Sequence, residues 1–192
     1  MNADMSRNRV LKREARSHRM GGERPKHLSK VQKERGFFLE TYNRNAYQAL
    51  GIECDFVQDN SSFSTRGVIR GMHFQEAPSQ GQGQSKLVFV LQGEIFDVVV
   101  DIRPASSTFR QWLGVNLNSR MQQQLFIPAG FAHGFCTLSE TAQIVYKVSQ
   151  LYDPTRERSF YYNDPDVGIV WPITDPLLSL KDRQALCLRS LL

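Results

Sequence analysis

The segment LVFVLQGEIFDVVVDI, from Leu87 to Ile102, is the most strand-like stretch of the sequence. Valine, isoleucine and phenylalanine, which favour β-strands, fill it on both sides of Gln92 and Gly93. A glycine supplies the backbone geometry of a tight turn, which β-branched residues avoid. The segment therefore predicts two antiparallel strands that form a hairpin around Gln92 and Gly93.

Other β-rich runs precede and follow this segment, with turn signals between them. They are IECDFVQ, GVIRGMHF, QWLGVNL, QQLFIP, HGFCTL and AQIVYKVSQ. A helix is expected only near the end of the chain, within SLKDRQALCLRSLL. Many closely spaced antiparallel strands favour an all-β sandwich or barrel, and the open mouth of a barrel supplies a ligand pocket.

Positive charge is concentrated at the N-terminal end of the chain. The formal net charge is +5, but residues 1–35 hold 11 Lys and Arg against 4 Asp and Glu, a balance of +7, and the remaining 13 against 15 give −2. The nearly neutral remainder gives no support to nucleic-acid binding.

Residues 1–30 are basic and poor in apolar side chains, which predicts a disordered tail. Residues 31–192 are expected to form one domain with its own core.

Cysteine content and hydropathy indicate the compartment. The three cysteines are widely spaced and form no CxxC pair, so neither a disulfide framework nor a cysteine zinc site is expected. No apolar run approaches the roughly 20 residues that a helix needs to cross a bilayer. We therefore expect a cytoplasmic protein with no membrane partner.

The stretch FIPAGFAHGF contains Pro128, Gly130 and His133 in a P-x-G-x-x-H spacing. This spacing resembles the second motif of the cupin superfamily, the double-stranded β-helix jelly rolls. Metal-binding cupins also carry an H-x-H pair and an acidic residue in their first motif, because a divalent ion needs three or four ligands. Here the first motif is only HFQ, from His73 to Gln75. No metal is therefore predicted, and a metal-dependent cupin enzyme stays as an alternative.

Seven motifs follow one another from about Glu34 to the end of the chain. They are FVQDN, GVIRGMHFQ, KLVFVLQGEIFDVVVDIR, QLFIPAGFAHGF, LSETAQIVYK, NDPDVGIVWP and LSLKDRQA. Together they resemble the dTDP-4-dehydrorhamnose 3,5-epimerase family of deoxysugar biosynthesis. The resemblance implies a cupin jelly roll with a short C-terminal helical segment, a homodimer, and an isomerase without a cofactor. Its substrate would be a dTDP-4-dehydro-6-deoxyglucose-type sugar nucleotide.

The implied reaction inverts C3, C5 or both, the carbons that flank a C4 ketone. A C–H bond next to a ketone is a very weak acid, so the enolate that develops must be stabilised as the base removes the proton. By resemblance, His73 is the base and Asp182 is the carboxylate that orients it and favours its protonated form. Lys86 is the cation near the C4 oxygen, and Tyr146 is the acid that reprotonates from the opposite face.

The resemblance also implies eight substrate-binding residues, of which the arginines and the lysine suit the diphosphate. They are Arg35, Glu40, Gln58, Asn60, Arg70, His133, Glu157 and Lys181. Other roles stay open for three of the site residues. Arg70 could be a surface salt-bridge residue, Glu157 an exposed loop charge, and Tyr146 a core aromatic residue.

Three features depart from the family pattern. The stretch KHLSKVQKERGFF keeps only ERGFF and has Lys33 where an acidic residue is usual, which affects a strand that helps to build the family dimer. Phe89 replaces a frequent arginine, and the loop EAPSQGQGQS before Lys86 is longer than usual. A catalytically inactive sugar-nucleotide-binding cupin is therefore a second alternative.

Overall fold

The computed structural model describes residues 9–11, 37–79 and 83–191. The chain divides into two units, one formed by residues 1–12 and 56–192 and the other by residues 13–55. The described part of the smaller unit contains one short helix, α1 (Arg44–Ala49). Asn43 caps it, since its side-chain oxygen accepts a hydrogen bond from the backbone N–H of Ala46.

The described part of the larger unit contains ten strands and two short helical segments. The strands are β1 (Arg9–Leu11), β2 (Gln58–Thr65), β3 (Ile69–Gln75), β4 (Lys86–Gln92), β5 (Glu94–Asp101), β6 (Trp112–Asn118), β7 (Gln124–Ile127), β8 (Phe131–Thr137), β9 (Thr141–Val148) and β10 (Glu157–Ser159). The helical segments are α2 (Leu180–Arg183) and a 3-10 helix at Leu188–Ser190. The C-terminal helical region is thus split in two.

The strands form two five-stranded antiparallel sheets. The first has the order β1-β7-β4-β9-β2 and the second the order β10-β3-β8-β5-β6. The prediction of an all-β jelly roll is confirmed. β1 lies within the predicted N-terminal tail and pairs with β7, and the rest of that tail lies outside the described residues.

The predicted hairpin at Gln92 and Gly93 is right in its turn and wrong in its pairing. Gly93 has a φ of +81°, which glycine adopts readily. However, β4 pairs with β7 and β9, whereas β5 pairs with β6 and β8 in the other sheet. Each run is apolar enough to be buried in the middle of a sheet, so the turn carries the chain from one sheet to the other.

The main core lies between the two sheets. It contains Val88 and Ile144 from the first sheet and Ile95, Val99 and Phe135 from the second, all at most 4% exposed. Side chains alternate between the two faces of a strand, so residues two positions from these core residues also face inward. Asp97 on β5, His133 on β8 and Tyr146 on β9 occupy such positions. Alternation thus sends polar groups into the space between the sheets.

The outer face of the second sheet is covered by the C-terminal segment. Phe160 and Leu188 are fully buried there against Met72, Val98 and Ala132. The backbone N–H of Leu177 donates to the Gly67 carbonyl at 2.9 Å, and that of Ile69 donates to the Leu177 carbonyl at 3.1 Å. These bonds hold the segment beside β3, which brings α2 next to the strand that carries His73.

Candidate active site

A cavity of about 120 Å³ is lined by residues of both sheets. Six of the twelve predicted site residues lie in its wall. The lining residues are Gln58, Asn60, His73, Phe74, Gln75, Gln84, Lys86, Tyr146, Tyr152 and Glu157. The polar side chains come from β2, β3, β4, β9, β10 and two connecting segments.

His73 and Asp182 form a hydrogen-bonded pair at this cavity. The His73 Nε2 atom lies 2.6 Å from Asp182 Oδ1. The Asp182 side chain is 3% exposed and that of His73 is 28% exposed, so the ring faces the cavity and the carboxylate lies behind it. The Ser179 hydroxyl oxygen accepts a hydrogen bond from the Asp182 backbone N–H, which fixes the first turn of α2.

The electrostatics of the pair favour an ionised carboxylate. Burial raises the pKa of Asp182, but the hydrogen bond from His73 and the His73 charge outweigh burial, so the pKa of Asp182 lies below its ordinary value. An ionised Asp182 can orient the His73 ring through their hydrogen bond.

Lys86 begins β4 and is 8% exposed. Its Nζ atom donates to the backbone carbonyl of His73 at 3.5 Å. Burial lowers the pKa of Lys86 from 10.5 to about 8, and the nearby Asp97 and Glu157 carboxylates limit that decrease. The ammonium form still predominates at neutral pH, so the site contains a poorly solvated cation close to His73.

Tyr146 lies on β9, where it is opposite Asn60 of β2 on one side and Val88 of β4 on the other. Its ring packs against the core between the sheets while it also lines the cavity. Burial raises the pKa of Tyr146, so its hydroxyl keeps its proton at neutral pH. His73 belongs to the second sheet and Tyr146 to the first, so the two groups enter the cavity from different sheets.

Glu157 connects the cavity wall to α2. Its Oε2 atom accepts hydrogen bonds from the Tyr152 hydroxyl at 2.9 Å and from Lys181 Nζ at 2.7 Å. Burial raises the pKa of Glu157, but the hydrogen bonds from Lys181 and Tyr152 outweigh burial and lower it overall. Glu157 is therefore a partnered carboxylate in the cavity wall rather than an exposed loop charge.

Gln58 and Asn60 project from β2 on the same face of the strand. The Gln58 Nε2 atom donates to Asn60 Oδ1 at 2.8 Å, and the Gln58 Oε1 atom accepts from the Tyr152 backbone N–H at 2.9 Å. The two amides thus form a polar edge of the cavity. Gln58 and Asn60 are both among the residues for which the resemblance implies substrate binding.

A second cavity, of about 320 Å³, adjoins His73. It is lined by Val68, Ile69, Arg70, His73, Leu177, Leu178, Ser179, Lys181 and Asp182. The Arg70 guanidinium donates to the Ser64 hydroxyl at 3.0 Å and to the Phe63 carbonyl at 3.1 Å. Both acceptors are neutral, so they do not offset the positive charge that Arg70 brings to this cavity, whereas the Lys181 ammonium is paired with the Glu157 carboxylate.

His133 is buried and contacts the Asp97 carboxylate, whereas the resemblance implies that it binds the substrate. Its Nε2 atom lies 3.0 Å from each carboxylate oxygen of Asp97. It lies opposite His73 on the neighbouring strand but belongs to the lining of neither cavity. The Asp97 carboxylate in turn raises the pKa of Lys86, which links His133 indirectly to the site.

Two further predicted binding residues, Arg35 and Glu40, lie nearer the N-terminus in the sequence. Arg35 lies outside the described residues. Glu40 lies in the smaller unit, where its carboxylate accepts a hydrogen bond from the Asn43 side chain at 3.3 Å. Their roles stay predictions.

Sequence reasoning missed four lining residues and the buried carboxylate next to Lys86. The lining residues are Phe74, Gln75, Gln84 and Tyr152, and the carboxylate is Asp97. Strand alternation from His73 could have indicated Gln75, and alternation from Ile95 and Val99 could have indicated Asp97. Tyr152 lies in a connecting segment, for which local sequence gives no comparable signal.

The part of the chain that the structure describes contains neither a cluster of metal ligands nor a membrane-spanning helix. No three His, Cys, Asp or Glu side chains there lie close enough together to hold a metal ion. His73 and His133 each face a separate carboxylate. None of the described helices has the length and apolar character needed to cross a membrane.

The chain is similar to known epimerases over most of its length. The family model for dTDP-4-dehydrorhamnose 3,5-epimerase matches residues 26–190. The enzyme of that name from Shigella flexneri is 50% identical over 150 residues, which cover 78% of this chain and 81% of that protein. The enzyme from Pseudomonas aeruginosa is 51% identical over 153 residues, which cover 79% and 82%.

A solved structure is similar in both sequence and fold. The crystal structure of dTDP-6-deoxy-D-glucose-3,5-epimerase from Legionella pneumophila, in complex with dTDP-4-keto-L-rhamnose, has a TM-score of 0.76 and 49% identity. The match covers 81% of this chain and 82% of that chain. Together with the family model and the two relatives, this match shows that the chain belongs to the dTDP-4-dehydrorhamnose 3,5-epimerase family.

Proposed function

We propose that the chain inverts C3, C5 or both in a dTDP-4-keto-6-deoxyhexose through an enolate intermediate, in the biosynthesis of dTDP-rhamnose or a related deoxysugar. One observation carries this proposal above all. The His73–Asp182 pair of the second sheet and Lys86 and Tyr146 of the first sheet meet at one cavity. That arrangement supplies a base, a cation and an acid within a single site.

Proton removal is assigned to His73. Its Nε2 atom lies 2.6 Å from Asp182 Oδ1, so the ring has a fixed orientation at the cavity. A positioned base of this kind accelerates proton transfer by roughly 10² to 10⁴-fold. The proton comes from the carbon next to the C4 ketone and passes to the imidazole.

Enolate stabilisation is assigned to Lys86. The negative charge that develops on the C4 oxygen needs a cation that is already in place and poorly solvated, because such groups act most strongly away from water. Lys86 has this character, since its side chain is buried and its pKa is lowered to about 8. Asp97 and Glu157 help to keep the ammonium protonated.

Reprotonation is assigned to Tyr146. Its hydroxyl is protonated at neutral pH because burial raises its pKa. It approaches the cavity from the sheet opposite to that of His73. Proton delivery to the face opposite the one that lost the proton inverts the carbon, whereas return by His73 would restore the starting configuration.

The nucleotide end is assigned to the remaining predicted residues. Arg70 and Lys181 supply charge suited to the diphosphate, and Gln58, Asn60 and Glu157 supply polar contacts. The contributions of Arg35, Glu40 and His133 follow from the family resemblance alone.

The assembly and compartment are also proposals. We propose a homodimer, as the family resemblance implies, and exposed apolar side chains such as Phe63 at 56% and Leu177 at 58% are consistent with a covered surface. We propose a cytoplasmic location, because none of the three cysteines, all within the described residues, forms a disulfide.

The proposed reaction is tested by incubating the purified protein with dTDP-4-dehydro-6-deoxyglucose and identifying the product by NMR. We expect inversion at C3, C5 or both, at a rate proportional to enzyme concentration. The His73→Asn variant is the matched control, and it should bind dTDP but form no product. If the wild-type protein binds dTDP and leaves the sugar unchanged, it is an inactive sugar-nucleotide-binding cupin.

A further inference from the structure

Gln75 holds the backbone on both sides of Tyr152. Its Nε2 atom donates to the Leu151 carbonyl at 3.1 Å, and its Oε1 atom accepts from the Asp153 backbone N–H at 2.9 Å. Because one backbone partner is an acceptor and the other a donor, the orientation of the Gln75 amide is fixed. Gln75 itself is 7% exposed, so its amide is largely removed from water.

The segment that Gln75 holds has little burial of its own. Leu151 is 65% exposed and Tyr152 is 54% exposed. Just beyond the segment, Arg156 Nε donates to Asp153 Oδ2 at 2.7 Å, and the Arg156 carbonyl accepts from the Glu76 backbone N–H at 3.0 Å. Since apolar packing contributes little there, the position of the segment depends on hydrogen bonds to the sheets.

Tyr152 connects the segment that Gln75 holds to the wall of the cavity. Its backbone N–H donates to Gln58 Oε1, and its hydroxyl donates to Glu157 Oε2. Gln75 is also the cross-strand partner of Glu157 in the pairing of β3 with β10. One buried amide therefore fixes Tyr152 and lies beside Glu157, two residues of the cavity wall.

We propose that Gln75 is a positioning residue for sugar-nucleotide binding, because it clamps residues 151–153 and so holds Tyr152 and Glu157 in place at the cavity. This inference rests on the proposed function, since it concerns binding of the same substrate. Gln75 is two residues from His73 on β3 but bonds to neither His73 nor Asp182. Its effect should therefore fall on substrate binding and leave the proton transfers intact.

The experiment compares Gln75→Leu, Gln75→Glu and the wild-type protein. Gln75→Leu removes both hydrogen bonds, and we expect KM for the sugar nucleotide to rise roughly ten-fold while kcat stays within about two-fold. Gln75→Glu keeps the oxygen that accepts from Asp153 and, when ionised, lacks the donor to Leu151. Only its protonated form can donate, and burial at this position should raise the pKa of the introduced carboxyl above its ordinary value of about 4.3. Its KM relative to wild type should therefore fall as pH is lowered from about 7 to about 5.

Gln122→Leu is the matched control. The Gln122 Nε2 atom donates to the Ser119 carbonyl in the turn between β6 and β7, and Gln122 lines neither cavity. It thus also clamps a connecting segment, but one outside the site. We expect its KM and kcat to match those of the wild-type protein even if its melting temperature falls.

The outcomes separate positioning from mere structural support. A lower melting temperature with unchanged KM in the Gln75 variants would overturn the inference, and so would a fall in kcat as large as the rise in KM. If Gln75→Leu fails to fold, the pH dependence of KM in Gln75→Glu decides. The Kd for dTDP is measured in parallel. Weaker dTDP binding by Gln75→Leu, with a wild-type protein that converts no sugar, would refute the reaction and leave the clamp standing.

Discussion

Lys86 combines a buried position with a charge that the proposed reaction needs. Transfer of an ammonium group out of water disfavours its charged form, which is why burial lowers its pKa to about 8. At neutral pH the group nevertheless stays protonated in the folded state. The fold therefore accepts a cost in stability at the position where the proposed mechanism requires a cation to stabilise the enolate.

Replacement of Lys86 by methionine should affect the free energy of unfolding and turnover in opposite directions. The difference between a pKa of 10.5 in the unfolded chain and about 8 in the folded chain corresponds to roughly 3 kcal/mol of destabilisation at neutral pH. Lys86→Met should thus abolish turnover and raise the free energy of unfolding at pH 7 by up to that amount.

The stability that Lys86→Met gains over the wild-type protein should decrease as pH rises. Between pH 8 and 10.5 the unfolded chain binds more protons at Lys86 than the folded chain does, so wild-type stability from this group rises with pH. The advantage of Lys86→Met should shrink over that range. Urea unfolding of both proteins at several pH values measures it, and an advantage that grows with pH would contradict the assignment.

Deprotonation of Lys86 should lower kcat, although it raises the contribution of Lys86 to stability. In the proposed mechanism only the ammonium form of Lys86 stabilises the enolate, so kcat of the wild-type protein should fall as pH rises through about 8. A pH–rate profile at saturating substrate measures this limb. A rate that stays constant up to pH 10 would mean that the Lys86 charge is not needed.

At the residue scale, some of the predicted site residues are close together in the structure, whereas one buried pair was not predicted. His73, Lys86 and Tyr146 line one cavity, and Asp182 contacts His73 from behind the cavity wall. The pairing of His133 with Asp97 was not predicted. Such pairs depend on which strands become neighbours, and local pattern does not encode this.

At the scale of elements, the position of His73 depends on a close approach of β3 and β8. A Cβ atom added at Gly134 on β8 would lie 2.6 Å from Met72 Sδ and 3.0 Å from the Arg70 carbonyl oxygen. Met72 is fully buried and has little room to move. The contact between these strands therefore requires glycine at position 134.

Gly134→Ala should force the two strands apart and displace His73 from Asp182. We expect a loss of roughly 1–3 kcal/mol in the free energy of unfolding, together with a fall in kcat of at least ten-fold. The control is Gly114→Ala on β6, where an added Cβ would clash with the Phe96 ring, away from the cavity. It should lose similar stability but keep kcat, and equal losses of kcat in both variants would argue against a specific role of β3–β8 contact.

Element prediction failed where polar side chains line a site. The run IECDFVQ was predicted as a strand, yet β2 begins only at Gln58 and continues through the polar sequence QDNSSFST. Gln58 and Asn60 face the cavity from this strand. Polar residues therefore occupy positions where the apolar residues by which a strand is usually recognised would otherwise stand.

The predicted pairing of β4 with β5 was wrong for another reason. Two adjacent apolar runs fit either one hairpin or two strands in different sheets.

At the scale of the whole molecule, the site joins distant parts of the chain. His73 and Asp182 are 109 residues apart in sequence. They meet because the C-terminal segment packs against the outer face of the second sheet and continues beside β3. Composition and periodicity predicted the all-β architecture, but only family resemblance predicted this contact.

The assembly state is a prediction at the same scale. One chain has a mass of 22.0 kDa, so the proposed homodimer has twice that mass, 44 kDa. β2 is an edge strand of the first sheet and carries the exposed Phe63. Light scattering after size exclusion should give the dimer mass at micromolar concentration. A Phe63→Ser variant tests whether this edge contributes, and a wild-type mass of 22.0 kDa would refute the dimer.

The central claim is that His73 removes the proton and Tyr146 returns one from the opposite side. The most direct test is incubation with the keto sugar nucleotide in deuterated water, with NMR detection of deuterium and configuration at C3 and C5. The wild-type protein should give labelled, inverted carbons. Tyr146→Phe should still exchange deuterium without inversion, because His73 can return it to the same face. His73→Asn should do neither, while dTDP binding stays within a few-fold. Exchange at the wild-type rate by His73→Asn, with only a lower melting temperature, would contradict the mechanism.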